Sequence, residues 1–89
     1  MNDTSRNYGG KTALVVDDDT AVRLIMRRML EKLGFDVEDA SDGENALRLT
    51  QRQTFDLVFT DQSMPRMDGM EFMKRAREKG LEAPVIFLT

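Results

Sequence analysis

The 89-residue sequence contains no cysteine and no histidine. The first absence excludes disulfides and thiolate metal sites. The second removes the commonest general base, the commonest transition-metal ligand and any phosphohistidine. Long apolar runs are lacking too. None approaches the roughly 18 residues that a membrane span needs, and the N-terminus has no apolar signal segment, so a cytoplasmic location is expected. Basic charge is not in excess: 13 Lys and Arg stand against 16 Asp and Glu, a net charge of −3. Bulk electrostatics therefore gives no case for nucleic-acid binding.

What remains is ordinary for a globular chain, with 33% charged and 40% hydrophobic residues. The length is room for one small domain with little stability to spare. Residues 1–10 are polar, end in Gly9-Gly10 and read as a flexible leader; residues 11–89 read as the domain.

From Thr12 onward two textures alternate. Ala13-Leu14-Val15-Val16 is a continuous apolar run, as expected of a strand buried on both faces. Val22, Ile25, Met26, Met29, Leu30 and Leu33 follow helical spacing, and Gly34 is a stop signal. Phe35 to Glu38 reads as a second strand. Ser41 and Glu44 form a capping-box pattern ahead of Ala46, Leu47 and Leu49. Phe55 to Thr60 is a third strand pattern. Asp68 and Glu71 open a third helix with Phe72, Met73 and Ala76 inward and Gly80 as its stop. Pro84 then introduces Val85 to Leu88, a fourth strand.

This β-α-β-α-β-α-β order predicts an α/β fold with a parallel sheet. With right-handed crossovers and strand order 2-1-3-4, the topology is flavodoxin-like. The first helix then covers one face, and the second and third cover the other. Ligands in such sheets bind at the carboxyl ends of the strands, where the order reverses. Asp17, Asp18 and Asp19 end the first strand, Asp61 the third and Thr89 the fourth.

Two carboxylates about 5 Å apart repel by roughly 3 kcal/mol at an effective dielectric near 20. Three together raise one another's pKa or demand a cation. No Lys or Arg adjoins either cluster in sequence except Arg66, which lies beyond a proline. A hard cation with oxygen ligands fits, and Mg²⁺ takes one or two carboxylates plus water and phosphate oxygens. A carboxylate beside such an ion can act as a nucleophile toward phosphorus. The competing reading is structural: Asp19 fits the N-cap of the first helix, and capping or turn duty also accounts for Asp17 and Asp18 taken alone. Arg23, Arg27 and Arg28 read as a solvated basic edge, with a partner-binding face as the alternative. The methionines Met26, Met29, Met64, Met67, Met70 and Met73 read as core and loop packing, with a partner surface as the alternative.

The stretches LVVDDD (Leu14 to Asp19), FTDQSMPRMDG (Phe59 to Gly69) and PVIFLT (Pro84 to Thr89) resemble response-regulator receiver domains. The resemblance runs from about Thr12 to Thr89. It implies a signalling domain, not an enzyme, that takes a phosphoryl group from a histidine kinase or phosphotransfer protein. It implies Asp61 as phosphoryl acceptor and Asp17 and Asp18 as the acidic pair for Mg²⁺. Ser63 would lend its backbone carbonyl to the metal, and Thr89 would be the hydroxyl that senses the phosphoryl group. Pro65 and Gly69 would shape the loop into the third helix.

The resemblance also implies a fifth strand with a phosphoryl-contacting lysine, and further helices, that these 89 residues do not supply. The fourth strand is then expected to be a bare edge, with uncovered apolar side chains among Phe55, Leu57, Val58, Phe59, Val85, Ile86, Phe87 and Leu88. About 400 Å² left uncovered would forgo about 10 kcal/mol. A stable isolated monomer is therefore not expected, and a homo-oligomer or a second chain completing the sheet edge is. Two other readings remain: an interaction module that is not phosphorylated, and a Mg²⁺-dependent phosphohydrolase using the Asp17-x-Asp19 pattern.

Overall fold

The computed structural model describes residues 8–88. Residues 1–7 of the expected leader, and Thr89, lie outside the described residues. Seven elements follow in the predicted order: β1 (Thr12–Val16), α1 (Thr20–Lys32), β2 (Asp36–Ala40), α2 (Gly43–Arg52), β3 (Leu57–Thr60), α3 (Gly69–Glu78) and β4 (Val85–Phe87). The four strands form one parallel sheet in the order β2-β1-β3-β4.

Alternation of side chains about the sheet divides the core in two. Leu14, Val16 and Ala40 join Val58 on the face covered by α2 and α3, where Ala46, Leu47, Phe72 and Ala76 meet them. Ala13, Val15 and Val37 pack on the other face beneath Leu30 of α1, with Phe35 beside them. All four residues of the Ala13–Val16 run are fully buried, the mark of a central parallel strand.

Each helix begins at an aspartate that takes up otherwise unpaired N–H groups. Asp19 accepts from Ala21 at 2.8 Å, Asp42 from Asn45 at 2.8 Å, and Asp68 from Glu71 at 2.8 Å. The cap of α2 is thus Asp42, not the expected Ser41. After α1 and α3 the chain turns at Gly34 (φ 100°) and Gly80 (φ 104°), the left-handed conformation that glycine adopts without a Cβ penalty.

Three further expectations need correcting. Tyr8 to Gly10 form a turn against the fold, with the Tyr8 ring stacked on Phe35 at 4.7 Å between centroids. The third strand starts at Leu57, and Phe55 and Val58 are both buried. Of the apolar stripe on α1 only Leu30 is buried, while Ile25 and Met29 are exposed. The physical reason is coverage: α1 packs chiefly over β1 and β2, which leaves a gap toward β3 and β4 among the described residues. Across that gap Leu57 and Phe59 are half-buried, and Ile86 on the edge strand is 44% exposed. Among the methionines, Met64 and Met67 are buried and Met26 and Met73 half-buried, as packing requires; Met29 and Met70 are exposed.

Candidate functional site

The register of the sheet decides what meets at its carboxyl end. Val16 lies opposite Thr60, so the next residues of the two strands, Asp17 and Asp61, emerge side by side. The Asp61 N–H donates to the Val16 carbonyl at 2.9 Å, and the Asp17 N–H to the Ala40 carbonyl at 3.1 Å. Both acids are therefore held by backbone to the rim of the sheet. Asp18 follows in the turn to α1. One carboxylate oxygen from each of Asp17, Asp18 and Asp61 lies within 4.8 Å of the others.

Asp17 is buried, Asp61 half-buried and Asp18 exposed. Asp17 Oδ1 accepts the Asp19 N–H at 2.9 Å. Asp61 Oδ1 accepts the Ser63 N–H at 3.3 Å. Among the described residues none of the three carboxylates forms an ion pair with Lys or Arg; the ion pairs lie between Arg23 or Arg27 and Asp39, Arg27 and Glu31, and Arg75 and Glu71. Burial pushes the Asp17 carboxyl above its ordinary value. The Asp19 N–H opposes this, and the charges of Asp61, Asp18 and Asp19 add to it. A cluster of oxygens with uncompensated negative charge is the donor set that a hard divalent cation takes.

The loop after Asp61 is shaped by close approaches. The Gly69 N–H donates to the Gln62 carbonyl at 3.0 Å, and the Met70 N–H to Gln62 Oε1 at 3.0 Å. A Cβ on Gly69 would collide with the Asp61 carbonyl oxygen and sit 3.1 Å from Gln62 Cα, so only glycine fits. Between them Arg66 adopts φ 68°, and the Met67 N–H closes on the Pro65 carbonyl at 2.7 Å. Met64 and Met67 turn inward and anchor the loop to the α2–α3 core.

The predicted residues are thus placed as follows. Asp17, Asp18 and Asp61 converge, Ser63 sits beside Asp61, and Asp19 caps α1. Thr89 lies outside the described residues. The sequence reading missed two arginines. Arg23 and Arg27 are not a solvated edge: both fold back onto the sheet and share Asp39 of β2. Only the Arg27–Glu31 pair, four residues apart on α1, is visible in the sequence; the backbone carbonyls and Asp39 that draw the two side chains onto the sheet lie on other elements or carry no sequence mark.

A domain of three helices and four parallel strands that gathers acids at the β1/β3 rim has known counterparts. The response regulator receiver domain family matches residues 13–89, and the chain belongs to that family. Receiver domains are signalling domains of two-component systems. The chain is 42% identical over 76 residues to the sensor protein EvgS of Escherichia coli (strain K12), covering 85% of this chain and 6% of that protein. It is 39% identical over 79 residues to the alkaline phosphatase synthesis transcriptional regulatory protein PhoP of Bacillus subtilis (strain 168), covering 89% of this chain and 33% of PhoP. It therefore spans only a minor part of these relatives. Among solved structures, the receiver domain of the histidine kinase CKI1 from Arabidopsis thaliana, complexed with Mg²⁺ and BeF₃⁻, superposes with a TM-score of 0.86 at 31% identity. That match covers 94% of this chain and 68% of the other.

Proposed function

We propose that Asp61 accepts a phosphoryl group from a phosphohistidine of a histidine kinase or phosphotransfer protein, with Mg²⁺ held by Asp17, Asp18, Asp61 and the Ser63 carbonyl. The observation that carries this is the meeting of three carboxylate oxygens within 4.8 Å with, among the described residues, no basic side chain paired to any of them. Mg²⁺ bound there supplies the charge that lets a phosphoryl group approach an acidic pocket. Asp61 supplies the nucleophilic oxygen: an O–P bond forms as the N–P bond to the donor imidazole breaks, and the imidazole leaves with that electron pair. Asp17 stays ionised to hold the cation, and its Asp19 hydrogen bond fixes one carboxylate oxygen so that the other points elsewhere. Thr89 is assigned as the phosphoryl-sensing hydroxyl on the resemblance alone. The solved CKI1 receiver complex with Mg²⁺ and BeF₃⁻ supports the reading, since BeF₃⁻ joined to a carboxylate oxygen becomes tetrahedral, as a phosphoryl group on that oxygen is.

The domain acts on this reading as a stoichiometric acceptor in the cytoplasm. The edge of β4, unpaired among the described residues, and the face around Ile86 are where further residues or a second chain would complete the sheet. Intact-mass analysis after incubation with Mg²⁺ and acetyl phosphate tests the assignment. The expected result is the mass of one added phosphoryl group, dependent on Mg²⁺ and lost in Asp61→Ala. An adduct that survives Asp61→Ala, or none on a folded sample, overturns it.

A further inference from the structure

Asp17 is the first residue past the registered part of β1, which ends with Val16 opposite Ala40 and Thr60. Its N–H still bonds to β2, through the Ala40 carbonyl. Its carbonyl has no sheet partner among the described residues, and Arg23 takes it. Arg23 Nη1 donates to the Asp17 carbonyl at 2.6 Å, while Nη2 lies 3.4 Å from Thr20 Oγ1 and Nε 3.9 Å from Asp39 Oδ1. The Arg23 side chain is only 17% exposed. Asp39 is itself held by Arg27, whose Nη2 and Nε donate to Oδ2 at 3.0 and 3.3 Å, and Arg27 Nη1 donates to the Val37 carbonyl at 2.8 Å. The guanidinium of Arg23 is thus braced between α1 and β2.

The carbonyl of Asp17 belongs to the peptide unit that joins Asp17 to Asp18. A planar peptide turns as one body. Fixing that oxygen fixes the direction in which the chain leaves Asp17, and so where Asp18 sets out from. We propose that Arg23 is a positioning residue for the cation site: it locks the Asp17–Asp18 peptide so that both carboxylates face Asp61. This rests on the reading that these acids bind Mg²⁺. Asp39 and Glu31 together balance the two guanidinium charges of Arg23 and Arg27, which would otherwise oppose a cation nearby.

Positioning and plain electrostatics predict opposite signs, which makes the inference testable. Removing a positive charge near a cation site should tighten binding by Coulomb's law. Removing a clamp should weaken it, and loss of an orienting partner of a metal ligand weakens affinity by about tenfold or more. Mg²⁺ is titrated calorimetrically into the wild-type chain, Arg23→Met and Asp17→Asn, with circular dichroism reporting the fold of each. Arg23→Met is expected to keep the wild-type secondary structure and bind Mg²⁺ about tenfold more weakly. Unchanged or tighter binding by folded Arg23→Met overturns the proposal. If Arg23→Met does not fold, Arg23→Gln is read by the same two outcomes. A wild-type chain that binds no Mg²⁺, or an Asp17→Asn variant that binds it equally well, would instead remove the proposed site and the clamp's role with it.

Discussion

Asp17→Asn should make the protein more stable without Mg²⁺ and less responsive to it. The change is nearly isosteric and keeps an oxygen to accept the Asp19 N–H, so the turn into α1 is preserved. What it removes is a buried negative charge within 4.8 Å of two others. A pair at that distance repels by about 0.9 kcal/mol in water and about 3.5 kcal/mol at an effective dielectric of 20. Asp18 is exposed and stays next to Asp17 in the unfolded chain, so its repulsion largely cancels between the two states. The Asp17–Asp61 pair is created by folding, and Asp61 is half-buried, which favours the lower end of the range. A gain of about 1 kcal/mol corresponds to a Tm rise of about 4–8 °C for a domain of this size. In Mg²⁺ at ten times its Kd the wild type gains about 1.4 kcal/mol and the variant little, so the difference should vanish or reverse.

The pH dependence of that gap has a definite sign. The folded pKa of Asp17 lies above its ordinary value of 3.8, so the folded state holds the proton more tightly than the unfolded chain. The resulting stabilisation is complete below pH 3.8 and is lost as pH rises through the folded pKa. The advantage of Asp17→Asn should therefore be full near neutrality and shrink as the pH falls toward 3.8. Thermal melts in EDTA and in Mg²⁺ across this range decide the matter. An Asp17→Asn variant less stable than wild type in EDTA, with an undiminished response to Mg²⁺, would refute the electrostatic account of the cluster.

Gly69→Ala should destabilise by about 1–3 kcal/mol, because the new Cβ meets the rigid backbone of Asp61 and Gln62. Helix propensity alone would favour the change by up to about 1 kcal/mol, so a rise in the urea midpoint would show that no clash exists. Two apolar truncations should contrast sharply. Phe72→Ala empties a fully buried position against the α2–α3 face and should cost about 3–5 kcal/mol, whereas Ile86→Ala, on the uncovered edge, should cost below about 1.5 kcal/mol by the same urea titration. Comparable losses at the two sites would mean that the face around Ile86 is covered in solution.

The residues that were legible in the sequence carry their meaning in their type. Ala13–Val16 has the pattern of a strand buried on both faces, and aspartates at the ends of β1 and β3 meet when those strands lie side by side, parallel and in this register. Other features failed for physical reasons. Ser41/Glu44 and Asp42/Asn45 are capping patterns offset by one residue, and only the exit of the chain from β2 selects Asp42. The periodicity of α1 gives an apolar arc but not which strands lie beneath it, so Ile25 and Met29 could not be told from Leu30. Arg23 and Arg27 failed most instructively. A side chain that seeks a carboxylate can be sought in the sequence, but one that seeks a backbone carbonyl has a partner at every position. What singles out the Asp17 carbonyl is that it lies one residue past the last registered pairs of β1, Val16 with Ala40 and Thr60, a property of the sheet and not of any residue. The acids of the site are therefore written in composition, while their alignment is written in register. Substitutions at positions such as Arg23 should consequently change cation affinity in ways that the acidic motif alone does not foretell.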